Sequence, residues 1–471
     1  MPVRSRHYTA CIIGAGPCGL TTIRNFLKFG VEDFVCHEAL DDVGGLWAYS
    51  EDPDRPSVYD SAHIISSRRM SWFRDYPMPR DYPDYPSRQQ IHAYFGAYAN
   101  EYDLRRHIRF NSRVDKAERM ENGVWRLTIV DADGTHEETA DNLIVASGHH
   151  RVPFTPGIEG DFAGRQLHSA EYRTPRGFEG ERVLVVGAGN SACDIAAALS
   201  PVADHVSLSI RTPQYILPKM AFGRPTDVQY AKLQKFPRFV RDAMLRFGAK
   251  LNVGPYERYR LPQPKDGVLA THPTLNSDIL ERLVHGDVTT RRATVSASAK
   301  TVSFADGASD EFDTIIWATG YRTTFPFLSD ELFGWSEKTR LPLFMKIFPP
   351  DIDNVFFIGL IQPLGCIWRL ADAQAEIVAH AITGKWKKPS DIHQRISQEH
   401  AADSRRFRET VRHAVEVDYH DYARQMLREI AKVRPVTNRN KDKNEARIFL
   451  SPEPQFRADR RQKKRKARSR T

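Results

Sequence analysis

Cysteine is scarce in this sequence and is not arranged for redox or metal chemistry. The 471 residues include five cysteines, and no two of them are spaced as Cys-x-x-Cys. An odd count without a paired motif argues against a disulfide scaffold, a zinc ribbon and a redox-active cysteine pair. We therefore expect no metal site, and we expect Cys18, within a glycine-rich turn, to be a small packing residue.

Long apolar runs are also missing. The most apolar stretch, 355–368, is interrupted by a glutamine, a proline and a glycine. It falls short of the ~18 uninterrupted apolar residues that a membrane-spanning helix needs. The N-terminus shows basic residues followed directly by a strand-like run, without the apolar core of a secretory signal. The sequence predicts a soluble, cytoplasmic protein without a transmembrane segment.

Positive charge is concentrated at one end of the chain. Lysine and arginine number 68 against 59 acidic residues, a net charge of +9. Residues 457–471 hold nine basic side chains and one acid, so the remaining chain is nearly neutral. We expect a disordered basic tail over 451–471 and regard nucleic acid as an improbable partner. A function of a different class, binding of nucleic acid or a membrane surface by this tail, remains an alternative.

Two glycine-rich turns each follow a short apolar strand and open a helix. The first contains Gly14, Gly16 and Gly19. The second contains Gly187 and Gly189, and its helix opens with Ser191, Ala192, Cys193 and Asp194. Glycines at this spacing allow a tight turn, close approach of a pyrophosphate and close packing of helix on strand. Two such βαβ units predict two dinucleotide-binding domains.

The residue that ends the second strand differs between the two units. Glu38 ends it in the first unit, where a carboxylate binds ribose hydroxyls, so that site suits FAD or NAD. Arg211 stands there in the second unit and can pair with a 2′-phosphate, with Lys219 as an additional cation. The second site therefore suits NADPH.

A segment between the two units carries a family resemblance. Phe162, Gly164, His168 and Tyr172 form the pattern FxGxxxHxxxY. This pattern resembles the identifying sequence of flavin-containing monooxygenases. Baeyer–Villiger monooxygenases have a similar segment that ends in tryptophan, usually followed by proline or aspartate, whereas Tyr172 is followed here by Arg173.

Further motifs of the same family occur along residues ~8 to ~431. Gly45, Leu46 and Trp47 look like its double-glycine motif beside FAD, and Thr319 and Gly320 belong to an ATGY-like link between domains. The stretch 357–365 is similar to the segment that returns to the flavin, and Gln374 occupies a matching position on the next helix. The resemblance implies FAD and NADPH as cofactors.

The function implied by the resemblance is monooxygenation. NADPH would reduce FAD, a C4a-(hydro)peroxyflavin would form with O2, and one oxygen atom would enter a small nucleophile containing nitrogen or sulfur. A Baeyer–Villiger oxygenase and an NADPH oxidase or reductase remain alternatives. We expect Ser66 and Gln362 to contact the flavin. Ile65 stands where eukaryotic members have an asparagine beside the flavin, and it cannot form the same hydrogen bond.

The predicted fold class is α/β, with two Rossmann-like three-layer domains and a helical C-terminal extension. We expect a discontinuous FAD domain over 1–170 and 315–390, and an NADPH domain over 171–314. An irregular insertion at about 215–270 and a helical extension over 391–450 complete the prediction. The sequence leaves the oligomeric state open and is compatible with a homodimer.

Overall fold

The computed structural model describes residues 6–270 and 272–433. The predicted basic tail, 451–471, and the end of the predicted extension, 434–450, lie outside the described residues. The strands are β1 (His7–Ile13), β2 (Phe34–His37), β3 (Ile108–Arg109), β4 (Arg113–Arg119), β5 (Trp125–Asp131), β6 (Gly134–Val145), β7 (Val152–Pro153), β8 (Arg165–His168), β9 (Arg182–Val186), β10 (His205–Ser209), β11 (Ile216–Leu217), β12 (Met220–Ala221), β13 (Arg224–Pro225), β14 (Thr274–Leu275), β15 (Val288–Arg291), β16 (Thr294–Ser298), β17 (Thr301–Phe304), β18 (Ser309–Glu311), β19 (Thr314–Trp317), β20 (Tyr321–Arg322), β21 (Val355–Phe357), β22 (Gln362–Pro363) and β23 (Glu416–Val417).

The helices within the described part of the chain vary from one turn to four turns. They are α1 (Pro17–Phe29), α2 (Arg88–Glu101), α3 (Asn190–Leu199), α4 (Thr226–Leu233), α5 (Arg238–Asn252), α6 (Asp278–His285), α7 (Asp330–Phe333), α8 (Ile367–Ile382), α9 (Ile392–Ser404) and α10 (Tyr419–Val433).

The first sheet has the order β3-β2-β1-β6-β5-β4, and β21 pairs with the end of β6. The strands β3, β2, β1, β6 and β21 are parallel, whereas β5 pairs with both β6 and β4 in the antiparallel direction. Helices α1 and α8 pack against each other on this domain, and their apolar residues enter its largest core cluster. Strand β1 is buried along most of its length, and apart from His7 and Thr9 its residues are apolar.

The second sheet has the order β15-β10-β9-β19-β8, and all its neighbouring strands are parallel. Each sheet places its glycine-rich turn at the carboxyl end of a central strand, β1 or β9. Ligands of open α/β sheets bind at that edge. The fold class is confirmed: two α/β dinucleotide-binding units, each with a core of parallel strands, followed by further helices.

The two connections between the sheets run side by side. One leaves β6 and passes through β7 to β8, and the other leaves β19 and passes through β20 to β21. The short strands β7 and β20 pair with each other in the antiparallel direction. This pairing ties the outgoing and returning chain together between the two units.

The limits of the second sheet differ from the predicted domain boundaries. Strand β8 ends at His168, before the predicted start at 171, and β19 ends at Trp317, after the predicted end at 314. Strand β8 is an edge strand whose first residues are exposed, so it lacks the apolar run by which a buried strand is recognised.

The insertion and the C-terminal segment are both more regular and more integrated than expected. The insertion over 215–270 contains α4 and α5 rather than an irregular chain. Helix α10 packs on α8, and its buried residues enter the core of the first unit. The described residues contain no helix that is both long and apolar enough to span a membrane, and no metal-binding group of three or more His, Cys, Asp or Glu side chains.

Candidate functional site

The first glycine turn joins β1 to α1 and is closed by backbone packing. A Cβ on Gly19 would lie 1.9 Å from the carbonyl oxygen of Gly14, so no other residue fits at position 19. Gly14 itself has a φ of +100°, a conformation that favours glycine. Helix α1 begins directly at Pro17, and its free N–H groups point towards the turn. The geometry makes an anion-binding helix N-terminus.

A second glycine pair lies against this turn. Gly44 and Gly45 both have positive φ, and the Gly44 N–H donates to the carbonyl of Ala15 at 3.1 Å. A Cβ on Gly45 would lie 3.3 Å from the Cα of Gly16. Leu46 and Trp47 complete the short 3-10 turn that follows. The fold thus brings the two motifs predicted to contact FAD into direct contact.

Glu38 also faces the first turn. Its carboxylate accepts a hydrogen bond from the Ala15 N–H at 2.6 Å and another from the Leu40 N–H at 2.9 Å. Burial raises the pKa of Glu38, whereas these donors oppose that change. A buried carboxylate at the end of β2, hydrogen-bonded to the phosphate-binding turn, is placed where a nucleotide ribose would lie.

The second glycine turn is built in the same way between β9 and α3. A Cβ on Gly187 would lie 2.4 Å from the carbonyl oxygen of Ala318, which follows β19. Ala192 and Cys193, in the first turns of α3, are fully buried, and Ser191 is exposed. Burial raises the pKa of the Cys193 thiol, so this cysteine is a packing residue.

An arginine from the C-terminal segment lies at this second turn. A Cβ on Gly189 would lie 3.2 Å from Nη2 of Arg412. Desolvation lowers the pKa of Arg412, the charge of Glu416 opposes this, and the charge of Arg211 lowers the pKa further, so the two cations are close enough to repel each other. Among residues 6–270 and 272–433, neither arginine forms an ion pair. Two unpaired cations beside a helix N-terminus can bind the phosphates of a nucleotide.

Sequence reasoning predicts a role for Arg211 and gives no indication of Arg412. Arg211 is recognisable because it ends the second strand of the βαβ unit. Arg412 is more than 200 residues from Gly189 in the sequence and stands in a segment without a glycine or strand pattern. Only the packing of the C-terminal segment against the second unit brings it there.

Asp194 and Lys219 lie to one side of the same helix. The Asp194 carboxylate accepts hydrogen bonds from the Tyr59 hydroxyl and the Asn276 amide, each at 2.5 Å. Burial raises the pKa of Asp194, and the charge of Lys219 opposes this. The ammonium of Lys219 also lies 5.6 Å from the ring centre of Tyr85. Asp194 thus joins α3 to the first unit.

The identifying segment holds the units together. A Cβ on Gly164 would lie 2.4 Å from the Asp313 carbonyl oxygen and 2.6 Å from the ring of Phe162. The ring of Tyr172 packs against Tyr59 and Phe178, with centroids 6.0 and 5.9 Å away. Within the described chain, the buried Tyr172 hydroxyl has no hydrogen-bond partner.

A column of aromatic rings crosses from one unit to the other. The rings of His149 and His150 are 4.4 Å apart, His150 stacks on Tyr321 at 5.0 Å, and His168 meets Tyr321 at 5.1 Å. Burial lowers the pKa of His150 to about 3 and that of His168 to about 4. These imidazoles are therefore neutral at pH 7. The sequence identified His168 alone, although His149 and His150 follow β6 at the carboxyl edge of the sheet.

The predicted flavin contacts lie near the start of α8. Gln362 Oε1 is 3.4 Å from Nε2 of His149. The Ser66 hydroxyl is buried and lies 2.6 Å from the hydroxyl of Ser71, whose carbonyl accepts from the indole of Trp368 at 3.0 Å. Ile65, beside Ser66, is 37% exposed. A contact of Ser66 or Gln362 with flavin stays a prediction.

Gln374 and Thr319 bind protein groups. The Gln374 side chain is fully buried, accepts from the Gly359 N–H at 2.8 Å and donates to the Tyr422 hydroxyl at 2.6 Å. Thr319 donates to the Phe154 carbonyl at 2.5 Å, and Gly320, with a φ of +92°, follows it into β20. Gln374 therefore fixes the turn at Gly359 through its amide. A direct contact of Gln374, Thr319 or Gly320 with a cofactor stays a prediction.

Two nucleotide-binding turns, one with a carboxylate and one with two cations, define an oxidoreductase that uses two dinucleotide cofactors. The chain belongs to the flavin-binding monooxygenase-like family, whose sequence model matches residues 8–440. It is accordingly a flavoprotein monooxygenase, and the cofactors of its family are FAD and NADPH.

Individual relatives agree with this assignment. The chain is 34% identical over 447 residues to flavin-containing monooxygenase 5 of Homo sapiens, covering 90% of this chain and 83% of the relative. It is 33% identical over 402 residues to the N-oxide-forming dimethylaniline monooxygenase 2 of Rattus norvegicus, covering 81% and 74%. The predicted family is confirmed.

Solved structures share the fold. S-allyl-L-cysteine S-oxygenase from Allium sativum superposes with a TM-score of 0.66 at 21% identity, covering 96% of this chain and 95% of that one. Cyclohexanone monooxygenase in its open form gives 0.65 at 17% identity, covering 91% and 98%. At these identities the likeness concerns the two-domain fold alone.

Proposed function

We propose that the protein uses NADPH to reduce bound FAD and inserts one oxygen atom of O2 into a small nucleophile containing nitrogen or sulfur. The observation that carries this proposal is the opposite charge at the two turns. Glu38 lies at the first turn, and Arg211 and Arg412 lie at the second. When bound, FAD supplies hydride acceptance and oxygen activation.

The residues of the first turn would hold FAD. The N–H groups at the start of α1 face the diphosphate, and the glycines of both motifs leave room for it. Glu38 would bind ribose hydroxyls through its carboxylate. A side chain at Gly16 or Gly45 would occupy the space between the two glycine motifs.

The residues of the second turn would hold NADPH, and each of its two arginines would bind a different phosphate group of the cofactor. Arg412, whose guanidinium lies at Gly189, would bind the diphosphate that NADPH and NADH share. Arg211, at the end of β10, would bind the 2′-phosphate that NADH lacks. Lys219 lies beside Tyr85 and Asp194 and would contribute positive potential at this helix.

The aromatic column would separate the reacting centre from water. Its histidines are buried and neutral at pH 7, so they can hydrogen-bond without adding charge. Gln362 extends this column through His149 towards the start of α8. A dry site with fixed polar groups is what oxygen transfer from a reactive cofactor requires.

Two similar proteins support a substrate that contains nitrogen or sulfur. One forms N-oxides, and a structure of the same fold is an S-oxygenase. Three probes separate the alternatives: N,N-dimethylaniline, S-allyl-L-cysteine and cyclohexanone. A lactone from cyclohexanone would favour the Baeyer–Villiger alternative.

The test is anaerobic reduction of the purified protein by NADPH and by NADH, followed by mixing with oxygenated buffer. We expect faster flavin reduction by NADPH, then a spectral species distinct from reduced and oxidised flavin. Adding dimethylaniline or S-allyl-L-cysteine should give oxygenated product in proportion to the NADPH consumed. Stoichiometric hydrogen peroxide with all three probes would overturn the proposal and indicate an NADPH oxidase.

A further inference from the structure

A buried carboxylate lies near Arg412 without forming an ion pair with it. Glu416 is 2% exposed and stands four residues after Arg412 in the C-terminal segment. Burial lowers the pKa of Arg412, and the charge of Glu416 opposes this change, so the carboxylate is close enough to act on the guanidinium. Within the described part of the chain, however, Arg412 forms no ion pair. The cation that lies at Gly189 therefore has an acid nearby that does not neutralise it.

The partner of Glu416 is His272. Nδ1 of His272 lies 2.7 Å from Oε1 of Glu416, and because an ionised carboxylate only accepts hydrogen bonds, this nitrogen is the donor. The other oxygen, Oε2, is 3.9 Å from Nε2 of His413, which is too far for a hydrogen bond. Burial lowers the pKa of His413, although the charge of Glu416 opposes this. The hydrogen bond from His272 is therefore the contact that fixes the direction of the carboxylate.

The backbone on both sides of this hydrogen bond is held in place. Glu416 belongs to β23, which pairs with β22 in the parallel direction. His272 precedes β14, where the Thr274 hydroxyl donates to the carbonyl of Ala188 at 2.7 Å, next to the second glycine turn. Because neither backbone is free to move, only the side chain of Glu416 can turn, and His272 sets its direction.

We propose that His272 is a positioning residue that holds the carboxylate of Glu416 away from Arg412 and so keeps the guanidinium available for the diphosphate of NADPH. A buried carboxylate requires a partner. Without His272, Glu416 would turn towards Arg412, and the resulting ion pair would compete with the phosphates of the cofactor. The inference rests on the proposed function, in which Arg412 binds the diphosphate.

The test is calorimetric titration of the purified flavoprotein with NADP⁺ and with NAD⁺. His272→Ala should raise the Kd of both nucleotides by about fivefold, because both carry the diphosphate that would compete with Glu416 for Arg412. His272→Asn keeps an N–H donor near the position of Nδ1, so it should bind both nucleotides within about twofold of the wild type. The matched control is His285→Ala, which removes an exposed histidine of the same unit and should bind like the wild type.

A double variant separates this electrostatic role of His272 from a packing role. In His272→Ala/Glu416→Gln the competing carboxylate is gone, so the affinity for NADP⁺ should return to within about twofold of the wild type. A double variant that binds as weakly as His272→Ala would overturn the proposal and assign His272 to the packing of β14 against the glycine turn.

Glu416→Gln alone gives a measurement that does not require His272→Ala to fold. It should bind NADP⁺ at least as tightly as the wild type, because it removes a negative charge near a site for anions. Weaker binding of NADP⁺ by Glu416→Gln would show that the carboxylate itself supports the cofactor site, and it would overturn the proposal.

Arg412→Met distinguishes failure of this inference from failure of the proposed function. It should weaken binding of both nucleotides, and adding His272→Ala to it should weaken binding no further, because His272 acts through Arg412. If Arg412→Met bound NADP⁺ like the wild type, the assignment of Arg412 to the diphosphate would fail, and this inference with it. If Arg412→Met weakened binding and His272→Ala did not, this inference alone would be overturned. Circular dichroism and the flavin content of each variant establish that it is folded and loaded with FAD.

Discussion

The carboxylate of Glu38 accepts a hydrogen bond from the N–H of Ala15 at 2.6 Å, across 23 residues of sequence. This contact joins the end of β2 to the first glycine turn. It fixes the carboxylate at the turn where we propose that the ribose of FAD binds. A single residue thus stabilises the turn and is placed to bind the cofactor.

Replacing Glu38 should weaken FAD binding. In Glu38→Ala the ribose loses its acceptor and the turn loses the bond to Ala15, so we expect FAD affinity to fall by about tenfold to a hundredfold. The measurement is the FAD-to-protein ratio after dialysis and the Kd on reconstitution. Glu32→Ala, an exposed carboxylate before the same strand, should keep its flavin. Equal retention by both variants would contradict the role of Glu38.

The two arginines at the second turn should affect cofactor choice differently. Arg211→Met should raise KM for NADPH by about tenfold or more and leave KM for NADH nearly unchanged, because it removes the proposed partner of the 2′-phosphate. Arg412→Met should raise KM for both cofactors, because its guanidinium lies at Gly189, where we propose that the diphosphate binds. Steady-state kinetics with each cofactor measure the split, and Arg428→Met, on the exposed side of α10, is the control. If Arg412→Met changed only NADPH kinetics, the division of roles would be reversed.

Gly19→Ala should abolish FAD loading. The added methyl group would lie 1.9 Å from the Gly14 carbonyl oxygen, and both partners are backbone in packed elements, so neither can yield cheaply. We expect protein that is largely free of flavin or insoluble. Gly248→Ala, in α5 with open space around its Cα, should load flavin normally and be slightly more stable. Absorbance at the flavin band of the purified variants decides the question.

Replacing Arg173 should lower the free energy of unfolding. Its buried guanidinium donates to five backbone carbonyls, those of Ser50, Asp52, Arg55, Ala170 and Tyr172. Arg173→Met would leave these carbonyls without the donor, at a cost of about 3–5 kcal/mol in the free energy of unfolding. Denaturant unfolding measures it, with the exposed Arg176→Met as control. A loss below about 1 kcal/mol would show that water replaces the guanidinium.

Acid should destabilise the protein partly through His168. Burial lowers the pKa of His168 from 6.5 to about 4. Between pH 6.5 and pH 4 this histidine is therefore protonated in the unfolded chain and neutral in the folded chain. Stability from this residue is present above pH 6.5 and falls as pH drops towards 4. The loss at pH 5 is on the order of 2 kcal/mol. The variant His168→Asn should lose less stability than the wild type between pH 7.5 and pH 5, as measured by chemical unfolding at each pH. Equal losses would exclude His168 as the source.

The sequence by itself determined the chemistry within each βαβ unit. Within the first unit Glu38 follows the glycines at 14, 16 and 19 closely in sequence, and within the second Arg211 follows Gly187 and Gly189; the geometry of a strand, turn and helix fixes each relation. The FxGxxxHxxxY segment, together with the further motifs along the chain, was sufficient to identify the family. Local spacing carries this information because one βαβ unit is a nearly invariant structure.

Tertiary structure decided what residues distant in sequence do together. It placed Arg412 at Gly189, set Gly45 against Gly16 and aligned His149, His150, Tyr321 and His168 in one column. It also turned the apolar side of α5 outward, where a sequence pattern alone would assign such residues to a core. No local rule fixes these outcomes, because each depends on how the two sheets and the C-terminal helices pack against one another.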